Sequence, residues 1–248
     1  MGRRIHGRTY PDNSECGHSM KKKSVQQGWN WLELKDKSGW EIPDGPVMSL
    51  VFSLGQNPEI KVYDLGCGIG RHTVFFAAQG YQVYASDISK EAVLETKMWL
   101  EKAGLSANVN QGRMTQNIHP DNTFDLVVSF NVIYHAFRKD IVKTISEVYR
   151  ILKPGGAFYG TLLTKDRGSQ FREKGNRIVD EQTIVIKSGV EDGIPHFFSH
   201  IEDVFDFFKD FHIESLVYNE VFDTPYNLEN VLSQKGWGHF RFLIKKTV

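Results

Sequence analysis

The sequence predicts an α/β protein: a doubly wound, mostly parallel sheet with helices on both faces. Three observations carry this. Short apolar runs of strand length, among them Lys61–Leu65, Tyr81–Ser86 and "FDLVVSF" (Phe124–Phe130), alternate with helical stretches. The intervening loops are short, as in crossovers between parallel strands. The apolar runs are nearly continuous, as in strands buried on both sides.

Each element follows from local signals. Trp29, Trp31, Leu32, Leu34 and Trp40 form an aromatic, partly helical opening segment that Pro43 and Pro46 break. Val47–Leu54 is a short apolar helix stopped by Gly55. Lys61–Leu65 is the first strand, and Arg71–Gln79 a helix stopped by Gly80. After the strand Tyr81–Ser86, Ser89 caps a helix over Ser89–Ala103, with Gly104 past its end. Asn108–Gln111 is a weak strand. Asp140–Leu152 is a helix with Ile141, Ile145, Val148, Ile151 and Leu152 on one face. "KPGG" (Lys153–Gly156) reads as a tight turn before the strand Ala157–Leu163. The pattern then changes. Thr164–Pro195 is polar and holds one β-like run, Thr183–Ile186; an insertion of this length is more often functional than idle. "SHIE" (Ser199–Glu202) reads as a capping box, opening a helix with Ile201, Val204, Phe205 and Phe208 inward. His212–Tyr218 and His239–Lys245 close the sheet as a hairpin-like pair, joined through Pro225.

Lys+Arg and Asp+Glu both count 30, so no net charge draws nucleic acid non-specifically. No run approaches the apolar length of a membrane span. Of two cysteines, Cys16 lies in a polar tail and Cys67 in a glycine loop; a structural disulfide is not expected, and a cytoplasmic setting fits. Residues 1–24 read as a disordered tail or an added segment. Their arginines lack the apolar run of a secretory signal. "GHSM" reads as a tag scar with Met20 the natural start, which mass spectrometry of the natural protein would check. Residues 25–248 then form a single domain with a lid-like insertion at about 164–198.

"VYDLGCGIGRH" (Val62–His72) places Gly66, Gly68 and Gly70 at alternate positions after a strand, behind the acid Asp64. In open parallel sheets, ligands bind beyond the carboxyl ends of the strands. The dinucleotide spacing G-x-G-x-x-G is not met, because Arg71 takes the sixth position, and no Gly-Lys-Ser/Thr phosphate loop is present. Asp64 would repel a pyrophosphate and suit an ammonium group. Asp87, ending the next strand, suits two ribose hydroxyls. A ligand with a ribose, an amino-acid ammonium and no phosphate is S-adenosylmethionine (SAM).

"VYDLGCGIGRHT", "YQVYASDIS", "FDLVVSFNVIYH" and "RILKPGGAF" resemble, in this order, the successive motifs of class I SAM-dependent methyltransferases, over roughly Val62 to Leu163. Within that class the chain resembles small-molecule enzymes of the tellurite-resistance and ubiquinone-biosynthesis type. "GIPHFFSHIEDVFDFF" also resembles a segment some of these carry after the fifth strand. The resemblance implies a Rossmann-like, seven-stranded sheet with the last strand antiparallel, and transfer of a methyl group from SAM, leaving S-adenosylhomocysteine. It implies Asp64, Gly66, Cys67, Gly68 and Gly70 around the methionine part, Asp87 and Ile88 at the ribose and adenine, and Phe130 and Asn131 below the sulfonium. "QGRMTQ" departs from the pattern. Arg113 stands where an acid often faces the adenine amine, and Met114 is left to pack on the ring.

Methyl transfer is an in-line displacement, so the protein mainly aligns the acceptor and excludes water. His135, after the fourth strand, reads as a general base or acceptor contact, or as a loop histidine satisfied by backbone. His196 closes over the acceptor. Tyr134, Trp29 and Trp31 are candidates for facing the sulfonium, with packing the simpler reading for the tryptophans. His200 reads as a solvated helix start and His239 as structural. Arg167, Arg172 and Arg177 suit an anionic acceptor, with a solvated face the simpler reading. No nucleophilic role is expected of Cys67, and no metal site is expected. The expected partner is a small-molecule acceptor, without nucleic acid or membrane; oligomeric state is open. The alternatives are a methyltransferase acting on protein or nucleic acid, an NAD-dependent oxidoreductase, and a SAM-binding protein without turnover. "NVIY" (Asn131–Tyr134) lacks the prolines of adenine-modifying enzymes.

Overall fold

The computed structural model describes residues 28–165, 171–172, 175–221 and 237–248. The expected tail, Arg167 and the loop through Pro225 lie outside them. After a 3₁₀ turn at Ser38–Trp40 come α1 (Gly45–Leu54), β1 (Lys61–Leu65), α2 (Arg71–Ala78), β2 (Gln82–Asp87), α3 (Lys90–Ala103), β3 (Asn108–Gln111), β4 (Phe124–Ser129), α4 (Arg138–Ile151) and β5 (Leu152–Thr164). The inserted strands are β6 (Arg177–Ile178), β7 (Thr183–Val185) and β8 (Pro195–Ser199). Then follow α5 (Ile201–Phe207), β9 (Phe211–Val221) and β10 (Trp237–Lys246).

The sheet runs β3-β2-β1-β4-β5, all parallel. On the far edge of β5 it continues into β10, antiparallel to β5, and then β9. These seven strands are the expected set, with the last antiparallel. The insertion adds three more. β6, β7 and β8 form an antiparallel ribbon, and β8 joins β5 through Leu163↔Phe198 and Thr164↔Ser199. β8 therefore takes the edge of β5 that β4 leaves free beyond Gly160, and the ribbon stands over the carboxyl end of β4.

From Leu126 on, alternate residues of β4 enter opposite cores, as the two-residue period requires. Val127 joins Ile141, Ile145 and Val148 of α4 on one face, and Phe124 reaches the same core across the irregularity between Phe124 and Leu126. Leu126 and Val128 join Phe76 of α2 and Val93 and Leu100 of α3 on the other. The expected face of α4 is buried throughout. Ser89 caps α3, its hydroxyl accepting from the Ala92 N–H at 3.3 Å.

Four expectations need correction. The first helix starts at Gly45 and not at Val47: Pro46 sits in the first turn of α1, where its missing N–H costs nothing. "KPGG" is not a turn between elements but an irregularity inside the long β5, where the register with β4 shifts and Gly155 takes φ +75°. The capping box lies one residue later. His200 is the N-cap and its N–H donates to the Asp203 carboxylate at 2.9 Å, because pairing with β5 draws Ser199 into β8. On α5, Ile201 and Phe205 face outward, and Val204, Phe207 and Phe208 are buried.

Candidate functional site

The carboxyl ends of β1, β2 and β4 converge beneath the segment that precedes α1. The β1–α2 loop turns back through Gly66 at φ +80° and Gly68 at φ +55°, left-handed conformations that favour glycine. The Gly66 and Cys67 N–H groups donate to the Ser86 carbonyl at 2.8 and 2.9 Å, pinning the loop to β2. Neither glycine has room for a side chain. A Cβ on Gly66 would lie 2.4 Å from a Val132 methyl, and one on Gly68 would lie 2.8 Å from the Trp31 ring.

Asp87 joins this loop to α3. Its Oδ2 accepts from the Gly68 N–H at 2.9 Å and its Oδ1 from the Ser89 N–H at 2.8 Å. A carboxylate offers about four acceptor positions, so positions remain for further donors. Burial raises its pKa, against those N–H donors. Asp87→Asn exchanges an acceptor oxygen for an NH₂ facing a backbone N–H. It is expected to weaken S-adenosylhomocysteine binding by about tenfold, measured by calorimetry.

Asp64 stands differently from expectation. It is buried behind the loop, accepts the Thr73 hydroxyl at 2.6 Å, and is not on the cavity wall. Burial pushes its pKa up to about 6. Cys67 is on the wall, but burial pushes its thiol well above the usual range, which fits a wall and not a nucleophile.

A single cavity spans the site. Its wall is built from Gly66, Cys67 and Gly68 of the β1–α2 loop, Asp87 and Ile88 after β2, Arg113 and Met114 after β3, and Phe130 and Asn131 after β4. His135, and Ile194 and Pro195 of the insertion, line it as well. Trp29, Trp31 and Trp40 also line it, as one aromatic group with ring centroids 4.8–5.6 Å apart. The tryptophans are thus packing and cavity wall at once. The buried Trp29 indole N–H has no partner among the described residues, a donor left over at the cavity. The Asn30 N–H donates to the Val190 carbonyl at 2.9 Å, tying this segment to the insertion.

Asn131 takes φ +60°, uncommon outside glycine. Thr161 of β5 holds it there: its hydroxyl accepts from the Asn131 N–H at 2.8 Å and donates to Oδ1 at 3.0 Å. Arg71 lies over Trp40 and Phe130, with its NH2 3.0 Å from Asp44. Gly70, Tyr134 and His196 are off the wall. Gly70 meets Thr96 of α3, while Tyr134 packs against His135 with ring centroids 4.5 Å apart. His135 and His196, distant in sequence, come together at 4.5 Å between centroids. Glu191 stands between their Nε2 atoms, 3.5 Å from His135 and 3.3 Å from His196.

Sequence reasoning missed Glu191, Thr161 and the contact of Trp31 with Gly68. Only Glu191 left a signal, an acid five residues before His196 across a Gly-Ile-Pro turn. Arg172 does not face the cavity: its guanidinium donates to the Asp180 and Glu181 carbonyls. Arg177 is exposed on β6.

These features define a doubly wound α/β domain with a cavity at the carboxyl edge of its sheet. Comparison with known proteins specifies the class. Residues 62–156 match the family described as "Methyltransferase domain". Over 122 residues the chain is 36% identical to the sterol 24-C-methyltransferase ERG6B of Gibberella zeae, covering 46% of this chain and 31% of that protein. The chain thus matches under a third of that relative's length. Among solved structures, a SAM-dependent methyltransferase from Methanosarcina mazei superposes with a TM-score of 0.66 at 18% identity, covering 80% of this chain and 97% of that one. TehB from Haemophilus influenzae gives 0.59 at 18% identity, covering 83% and 63%. Residues 62–156 are thus similar in sequence to a methyltransferase domain, and the fold is shared with SAM-dependent methyltransferases.

Proposed function

We propose that the protein transfers the methyl group of SAM to a small-molecule acceptor. The observation that carries this reading is one cavity lined both by the glycine loop with Asp87 and by His135 with Ile194 and Pro195 of the insertion. In this reading residues 25–248 act as one domain and the insertion at about 164–198 is its lid. The names of similar proteins include small acceptors, in a sterol methyltransferase and a magnesium protoporphyrin IX methyltransferase, and also a ribosomal RNA methyltransferase.

When bound, SAM supplies a sulfonium-activated methyl group that leaves by in-line displacement. The chain binds, orients and excludes water. Asp87 offers its remaining acceptor positions to the ribose. Ile88 and Met114 flank the adenine, where Met114 packs as a soft wall. The glycine loop admits the methionine part, with the Asp64 charge behind it and the Trp29 N–H as a further donor. Phe130 and Asn131 hold the middle, and the tryptophans shield the sulfonium and attract it through their ring faces.

Methyl-labelled SAM, incubated with the protein and an extract of the cells that make it, tests this. Label in the small-molecule fraction is the expected result. Label in protein or nucleic acid would replace the small acceptor with a macromolecule, and absence of transfer would leave a SAM-binding protein.

A further inference from the structure

We propose that His135, Glu191 and His196 form a three-ligand site for a divalent transition-metal ion beside the cavity. Three separate pieces of chain bring them together: the loop after β4, the 3₁₀ turn Gly189–Glu191, and strand β8. Their candidate ligand atoms all lie within 4.8 Å of one another. Zinc bonds to imidazole nitrogen and carboxylate oxygen are about 2.0–2.2 Å, which separates neighbouring ligands of a tetrahedral ion by about 3.3–3.5 Å. The two Nε2–Oε1 distances here are 3.5 and 3.3 Å.

The surroundings of His196 point the same way. Its Nδ1 lies 3.3 Å from the Ile194 carbonyl oxygen, and a backbone carbonyl behind the far nitrogen is the usual way a metal-binding histidine is held. Its Nε2 and that of His135 both face Oε1 of Glu191. The ring of His196 is fixed by stacking on Phe171 at 5.6 Å.

The set is two nitrogens and one oxygen, suited to zinc and its neighbours rather than to magnesium or calcium. Three protein ligands leave a position for substrate, and His135 lines the cavity on that side. The acceptor is then a small molecule with a metal-binding hydroxyl or thiol. The ion lowers the pKa of that group and its proton leaves to water. The oxygen or sulfur bonds to the methyl carbon while the carbon–sulfonium bond breaks, its electron pair returning to sulfur. This last assignment rests on the methyltransferase reading; the metal site does not.

The test is calorimetric titration of the chelator-treated full chain with Zn²⁺, with S-adenosylhomocysteine binding measured separately. One ion per chain is expected, with Glu191→Gln and His196→Ala weakening Zn²⁺ by roughly a hundredfold while S-adenosylhomocysteine binding is kept. Melting temperature serves as the second readout: Zn²⁺ should raise it in the parent and not in Glu191→Gln. Equal Zn²⁺ affinity in parent and variants, or no binding in the parent, overturns the site. Zn²⁺ binding without S-adenosylhomocysteine binding keeps the site and overturns the methyltransferase reading instead.

Discussion

Gly66→Ala is expected to lower SAM affinity by about a hundredfold. Two costs fall on the same atom. At φ +80° a Cβ carries a backbone penalty of about 1 kcal/mol. It would also lie 2.4 and 2.6 Å from the two methyls of Val132, and overpacking of this kind costs about 1–3 kcal/mol. The loop relieves both by moving away from β4, which displaces the backbone that must meet the cofactor. Val132→Ala in the same chain removes the clash and leaves the φ penalty. The double variant should therefore recover most, but not all, of the affinity. Calorimetry with SAM on the three proteins checks this; no recovery would mean that the backbone penalty alone governs the loop.

The second large effect concerns acid, and it appears only in variants. His72 is buried in the first turn of α2, its Nε2 accepting the Asp44 N–H at 3.2 Å. Burial, with Arg71 beside it, pushes its pKa from 6.5 down to about 3. Between these values the unfolded chain binds a proton that the folded chain refuses, so His72 makes stability fall as pH falls. Asp64 has the opposite sign. Its pKa rises from 3.8 to about 6, so between these values the folded chain holds the extra proton and stability rises as pH falls. From about pH 4 to 6 the two slopes, each near 1.4 kcal/mol per pH unit at full difference, offset one another. His72→Gln, whose amide oxygen can accept the same N–H, should gain about 2 kcal/mol relative to the parent on going from pH 6 to pH 4. Asp64→Asn should lose about as much. Urea midpoints across that range measure both; parallel curves for parent and variants would show that neither group titrates with folding.

What the sequence disclosed was local. Gly66, Gly68, Asp87, Met114 and Phe130 are fixed by the strand ends that carry them, and a strand ending in a glycine turn is visible in ten residues. The inward face of α4 followed from its period. What stayed hidden depends on tertiary pairing. Ser199 has the chemistry of a cap, yet β5 recruits it as a strand residue. Phe205 fits the helical pattern, but a short helix lying over β8 has a narrower buried face than the pattern assumed. Glu191 could not be placed at all, because nothing local says that the insertion folds back onto the loop after β4. Asp64 was legible as an acid beside the loop but not as one turned toward Thr73.

The bond from Asn30 to the Val190 carbonyl joins the segment ahead of the first helix to the insertion, and both stretches contribute to the wall of one cavity. Their attachment couples the two walls, so a displacement of one is passed to the other.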